Sequence, residues 1–422
     1  MDIRIKELID VAKTKFGLDN YHLHSHSFVR RVDIFKNTIY TLSMEWFPNH
    51  GTVQEEDSNP EGTACIDINV KGRKVESAIF VQGKTYAENG VFFTKNNKAD
   101  IIKWIEDETG LSYGKQFQLH KEEEGSLLFS ECIDGVAVSP AGYIEFKYDQ
   151  KGHLTFFSIY GQFPPKEMVK EEPFTLSIKN IVHVAMDQLK LVEFPSYEQK
   201  QLFPVYTVEE IYVRNDQMWT IPFEVLVDTR SYLKVDKTIN WEKSINQTFE
   251  QKEMNLIEDV TVEQAFSSDP SPDSFPITTA EQEKCVIAVK DFLRQEYPND
   301  TGKWTLKTLH RDKGYIHAIM RTNIQNNHVF QRKLMIMIDT NSLEVVNYLD
   351  NKPMLEMFDQ FQAPEKVRVT KEEAYEKIKE RFELKPYYVY DFEQKRYVLC
   401  GKLDCEYGVN ASSGEVVALN DL

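Results

Sequence analysis

Three histidines alternate near the N-terminus, in His22-Leu23-His24-Ser25-His26. Residues two apart in a strand share a face, so the imidazoles of His22, His24 and His26 are expected on one side. Imidazole is the commonest zinc ligand and suits other first-row metals. The outer two would sit ~13 Å apart along a strand that rises about 3.3 Å per residue, so at most two can hold one ion. Either pair, His22 with His24 or His24 with His26, needs a carboxylate from elsewhere. No HExxH or comparable motif supplies it. A polar strand face accounts for the same residues with fewer assumptions, and it is the favoured reading.

Other chemistry-bearing patterns are weaker. Gly110-Leu-Ser-Tyr-Gly114-Lys115-Gln116 is one residue short of a phosphate loop, ends in Gln where Ser or Thr should hold magnesium, and follows a helix rather than a strand. A helix cap and turn explains it. No G-x-S-x-G elbow, C-x-x-C pair or G-x-G-x-x-G fingerprint occurs. The sequence therefore assigns no catalytic residue and no cofactor, and it leans against an enzyme. Phe156, Phe157, Tyr160 and Phe163 before Pro164-Pro165 form a dense aromatic group, as does Trp46-Phe47-Pro48. Strand-core packing is the expected role of both.

The elements that must position these residues recur. Helical stripes are expected at Ile5, Leu8, Ile9, Ala12 and Phe16, closed by Gly17, and over about 98–108 with Ile101, Ile102 and Ile105 inward. A third is expected over about 177–191, with Ile178, Ile181, Val182, Ala185 and Leu189 buried. Thr278 with Glu281, and Thr370 with Glu373, read as capping boxes of a fourth and a fifth. Each helix leads into strands and ends on a strand–turn–strand carrying Asn69, Asp149, Asp228, Asp339 or Asn410, spaced 80, 79, 111 and 71 residues apart. Asp and Asn at such turns bond backbone amides two residues on, so these acids read as turn chemistry rather than as ligands. The wide third gap contains Ser267–Ser274, without a hydrophobic residue and with two prolines, the clearest linker in the chain. The expected partition is 1–95, 96–170, 171–266, a linker at 267–276, then 277–362 and 363–422.

The 422 residues are 41% hydrophobic and 28% charged, an ordinary globular balance too long for one core. A net charge of −17 argues against a nucleic-acid surface. No stretch approaches ~18 consecutive apolar residues, and the N-terminus has no apolar core, so no membrane span or signal peptide is expected. The five scattered cysteines fit reduced thiols, and the chain as given reads as cytoplasmic.

VTKEEAYEKIKERF followed by YGVNASSGEVVALND is similar to the PepSY-type domain: a capped helix, then a closing strand, an Asn turn and Gly-Glu-Val. The fourth helix with IMIDTNSLEVVNYLD and the third with VLVDTRSYLKV follow the same pattern, and the first two repeats follow it loosely. Over the whole chain the sequence resembles the YcdB/YcdC-type repeat proteins of Gram-positive bacteria. The resemblance implies an α+β fold of tandem PepSY- or cystatin-like units, each an amphipathic helix on an antiparallel sheet. It brings no catalytic residues, and related repeat proteins are often exported. It implies protein binding, inhibitory or chaperone-like. The first expectation is thus a non-enzymatic interaction scaffold that meets a protein partner through sheet edges or faces. The alternative is a metal- or small-ligand-binding protein, or a metal-dependent enzyme, built on His22, His24 and His26.

Overall fold

The computed structural model describes residues 1–49, 59–94, 97–216, 219–222, 232–256, 259–323 and 327–422. The chain divides into two compact units. Unit 1 comprises Met1–Glu171, Glu258–Ser274 and Tyr387–Val398; unit 2 comprises Glu172–Ile257, Phe275–Pro386 and Leu399–Leu422. One unit boundary falls at 274/275, at the end of the Ser/Pro-rich segment Ser267–Ser274. That segment is held in unit 1: Ser271 is buried, its amide donates to Thr38 Oγ1 at 2.7 Å, and the Tyr40 hydroxyl donates to the Asp269 carbonyl at 2.8 Å.

Unit 1 opens with α1 (Ile3–Phe16), capped by the Asp2 carboxylate and ended by Gly17 in the left-handed conformation. Strands β1 (Tyr21–Val32), β2 (Thr38–Pro48), β3 (Ala64–Asn69) and β4 (Val75–Phe80) follow in an antiparallel meander. Helix α2 (Lys98–Thr109) precedes β5 (Phe117–Glu123), β6 (Ser126–Ile133), β7 (Val136–Ser139), β8 (Tyr143–Tyr148) and β9 (Leu154–Tyr160). The closing strands of the two halves pair, β4 with β9, so one sheet runs β1-β2-β3-β4-β9-β8-β6 with β5 on β6. The apolar stripes of α1 and α2 pack on one face of this sheet, against Leu42, Met44, Ile66, Phe129, Phe146 and Phe157. Asp134 and Gly135, both at positive φ, make a turn between β6 and β7.

Unit 2 contains α3 (Val182–Gln188), β10 (Leu189–Ser196), β11 (Gln201–Val208), β12 (Ile211–Arg214), β13 (Thr220–Pro222) and β14 (Leu233–Ile239). Helix α4 (Thr279–Glu296) precedes β15 (Trp304–Asp312), β16 (Tyr315–Thr322), β17 (Lys333–Asp339) and β18 (Val345–Asp350). Helix α5 (Lys371–Ile378) precedes β19 (Glu383–Asp391), β20 (Arg396–Asp404), β21 (Tyr407–Asn410) and β22 (Val416–Ala418), with 387–398 counted in unit 1. Strands β14 to β18 form an antiparallel sheet under α4, whose Cys285, Val289, Phe292 and Leu293 are buried on it. A second antiparallel sheet runs β10-β11-β21-β22. Its core is shared with α3 and α5 through Ile181, Ala185, Ala374 and Ile378. The protein is thus strand-rich α+β with antiparallel sheets. Both Thr-x-x-Glu capping boxes form as expected.

The third helix departs from expectation. Ser177 and Asn180 close a local box around a 3-10 turn, only Val182–Gln188 is α-helical, and Leu189 already belongs to β10. Val182, expected inside, is exposed. From Leu189 to Ser196 the chain instead pairs with β11, and Pro195 would break a helix there.

The recurring Asp and Asn residues close turns. The carbonyls of Asn69, Asp339 and Asn410 accept from the amides of Arg73, Leu343 and Gly414, at 2.8, 2.9 and 2.8 Å. Their side chains accept amides two or three residues on: Gly72 at 2.7 Å, Ser342 at 2.8 Å and Ser412 at 2.9 Å. Asp149 does the same in a turn one residue shorter, through Lys151 at 2.8 Å. Asp228 lies outside the described residues.

Candidate ligand-binding site

The histidine strand is a single edge with a fault in it. In β1 the register slips between Leu23 and Ser25, so His24 is an extra residue without a partner opposite. Before the bulge His22 lies opposite Phe47; after it His26 lies opposite Met44, which is fully buried in the core. Opposed residues of an antiparallel pair share a face, so the bulge puts His26 on the core-facing side and His22 on the other. A strand-period reading cannot foresee that slip. His24 stacks on Phe47 at 3.9 Å between ring centroids and 8° between planes, and His22 meets the same ring edge-on at 6.2 Å. His22 Nδ1 is 3.2 Å from Asn49 Oδ1. Among the described residues no three His, Cys, Asp or Glu side chains converge as a metal site.

Unit 2 holds a better-formed concavity, a cavity of about 280 Å³. Its floor is Trp304 at the start of β15, nearly fully buried, and its apolar walls include Pro195, Leu202, Leu355 and Phe358. The polar groups come from facing strands. The segment after β16 lies along β10: Glu193 N donates to the Asn327 carbonyl at 2.6 Å and Val329 N to the Glu193 carbonyl at 3.1 Å. That pairing sets His328 Nε2 3.1 Å from Glu193 Oε2. Arg332 lies over Trp304, 5.5 Å from guanidinium to ring centre. The same guanidinium makes a two-point bond to Asp350 at the end of β18, at 3.0 and 2.7 Å. The Tyr297 hydroxyl donates to Asp350 Oδ2 at 2.7 Å, and burial, then that bond, push its phenol up. Lys303 faces Asp300 at 2.7 Å.

An aromatic cluster extends the apolar wall outward. Phe330 and Phe358 stack at 5.6 Å and 7°, and Tyr197 meets both Phe358 and Phe361 at 5.8 Å. Backbone bonds from Leu202 to Gln362 at 3.0 Å and from Gln362 to Lys200 at 2.8 Å tie this cluster to β11. Several apolar side chains here are exposed: Tyr197 at 61%, Phe330 at 43% and Met357 at 55%. Sequence reasoning singled out none of these residues, because they come from four separate stretches of chain. One signal was present: KPMLEMFDQF spaces Met354, Leu355, Met357, Phe358 and Phe361 too densely for a solvated loop.

No family model matches the chain, and no curated protein matches it. Among solved structures it is similar to the Bacillus megaterium YpeB C-terminal domain, at 9% identity, over 82% of this chain and 96% of that one, with a TM-score of 0.24. A superposition this loose carries no argument. Among the described residues no helix is long and apolar enough to cross a membrane.

Proposed function

We propose that the protein is a non-enzymatic interaction protein, and that unit 2 holds an extended polypeptide segment by seating one bulky apolar side chain against Trp304 and Phe358. The observation that carries this is the exposed Tyr197, Phe330 and Met357 beside a preformed cavity. Monomeric surfaces rarely expose such clusters unless something covers them. Aromatic anchors and adaptable methionines are the side chains enriched where polypeptides are bound.

The cavity is rimmed by paired charges. His328 faces Glu193, Arg332 faces Asp350, and Lys303 faces Asp300. The two paired cations, Arg332 and Lys303, can orient a bound chain by charge and hydrogen bonding. At about 280 Å³ the space suits one large side chain rather than a drug-sized ligand. The reading keeps the five-part partition and the tandem PepSY-like units as its framework, with the helix-on-sheet repeats as scaffold and the cavity as the contact.

Panning a random-sequence peptide display library on the full chain tests this. Enriched peptides sharing an aromatic or large aliphatic residue, and lost from a Phe358→Ser bait, support the proposal. No enrichment, or equal recovery on both baits, overturns it.

A further inference from the structure

Glu131 is the most deeply buried acid among the described residues, 1% exposed in the second half of β6. Its Oε2 accepts the Gly142 amide at 2.7 Å, and its own amide donates to the Gly142 carbonyl at 2.8 Å. The amides of Gln162 and Phe163 also lie against the carboxyl. Two glycines make this approach feasible: a Cβ on Gly142 would sit 2.6 Å from Glu131 Oε2, and one on Gly161 would sit 2.2 Å from the Gly142 Cα. Oε1 has no hydrogen-bond partner among the described residues.

The three amides favour the anion, but burial opposes them and outweighs them. Tyr397, fully buried with its hydroxyl unpartnered among the described residues, lies close enough on the strand Arg396–Asp404 to feel the Glu131 charge. Tyr390 and Asp33 lie behind Tyr397, and Cys132 and Asp134 follow along the chain. Among the described residues no lysine, arginine or histidine acts on it, and burial raises the carboxyl from an ordinary value of 4.5 to about 7.

Tyr397 belongs to the hairpin 387–398, which reaches unit 1 from the last third of the chain. Tyr387, Tyr388 and Val389 pair in parallel with Ala137, Val138 and Ser139 of β7. The Tyr397 carbonyl accepts from Lys170 N at 3.0 Å, and Tyr390 packs on Phe35 with ring centres 5.2 Å apart. The hairpin thus lies next to β7, the neighbour of the strand that carries Glu131.

We propose that Glu131 fastens the 387–398 hairpin in a pH-dependent way, closed while the carboxyl carries its proton and loosened when it ionises. A charge buried in a dry site is relieved by admitting water, and the hairpin, which brings the buried Tyr397 beside Glu131, is the element that gives way. The sign follows from linkage: closure contributed by the protonated acid is complete below about 4.5 and is lost as pH rises to about 7.

Amide hydrogen exchange of the full chain, corrected for the intrinsic pH dependence, reads the opening of peptides covering 387–398 and 139–142. The opening constant is expected to rise roughly fiftyfold between pH 5 and 8 in the wild type and to stay flat in Glu131→Gln. The amide keeps the acceptor for Gly142 and cannot ionise. Equal pH dependence in the two proteins, or no rise in the wild type, overturns the proposal. Should the variant fail to fold, infrared difference spectra of the wild type decide. A protonated-carboxyl band that persists above pH 6 and fades near 7 supports the fastening, and one already gone by pH 5 refutes it.

Discussion

Arg332 and Asp350 meet through two parallel hydrogen bonds at 3.0 and 2.7 Å, with the Tyr297 hydroxyl on the same carboxylate at 2.7 Å. The pair is mostly shielded, at 23% and 14% exposure. Removing one member strands the others, so Asp350→Ala is expected to cost about 2–3 kcal/mol. Urea unfolding followed on unit 2 should show a lower midpoint with an unchanged slope. An unchanged midpoint would mean that water serves Arg332 as well as Asp350 does.

The closing turns predict a matched pair of effects. Arg73 and Gly414 occupy the same turn position, at φ 52° and 77°. Arg73→Gly removes a left-handed cost and should stabilise by up to about 1 kcal/mol. The Arg73–Glu7 ion pair lost with it is exposed, 2.7 Å long and worth little. Gly414→Ala should destabilise by about 1 kcal/mol, since its Cβ also comes within 3.3 Å of Val369 Cγ2. Thermal midpoints moving in opposite directions check both.

Asp339 should behave as a turn acceptor and nothing more. The Ser342 amide, ahead of burial's opposing effect, holds its carboxyl below the usual 3.8. A lowered acid contributes stability that is present above about 3.8 and is lost as pH falls through the lower folded value. Asp339→Ala is expected to cost about 1 kcal/mol at pH 7, while Asp339→Asn keeps the acceptor, as Asn69 and Asn410 do. Denaturation at pH 7 and pH 3 should show the Asp–Ala difference shrinking in acid.

The bulge at His24 makes a prediction about metal. His22 and His24 flank Phe47 on one face, and His26 lies on the other. In a zinc titration by calorimetry, His26→Ala should leave the curve of the wild type unchanged. Loss of binding in that variant would mean that β1 pairs in solution without the register slip.

Much of the fold was legible in the sequence because its signals are local. The stripes of α1 and α2, the boxes at Thr278 and Thr370, and the Asn69, Asp339 and Asn410 turns each depend on residues a few positions apart. The cavity was not legible, since Trp304, His328, Arg332 and Phe358 converge only through strand pairing. His26 was misplaced for a similar reason: one inserted residue inverts every later side chain, and no residue type marks it. Glu131 reads as a plain strand acid until Gly142, Gly161 and Tyr397 close around it.

The central claim, that the cavity in unit 2 seats a polypeptide side chain, is tested most directly by calorimetry with one peptide enriched from the display library. The account predicts binding to the wild type, a loss of at least about tenfold in Phe358→Ser, and unchanged affinity in His24→Ala, which lies in unit 1. Equal affinity for all three proteins, or a loss in His24→Ala alone, would contradict it.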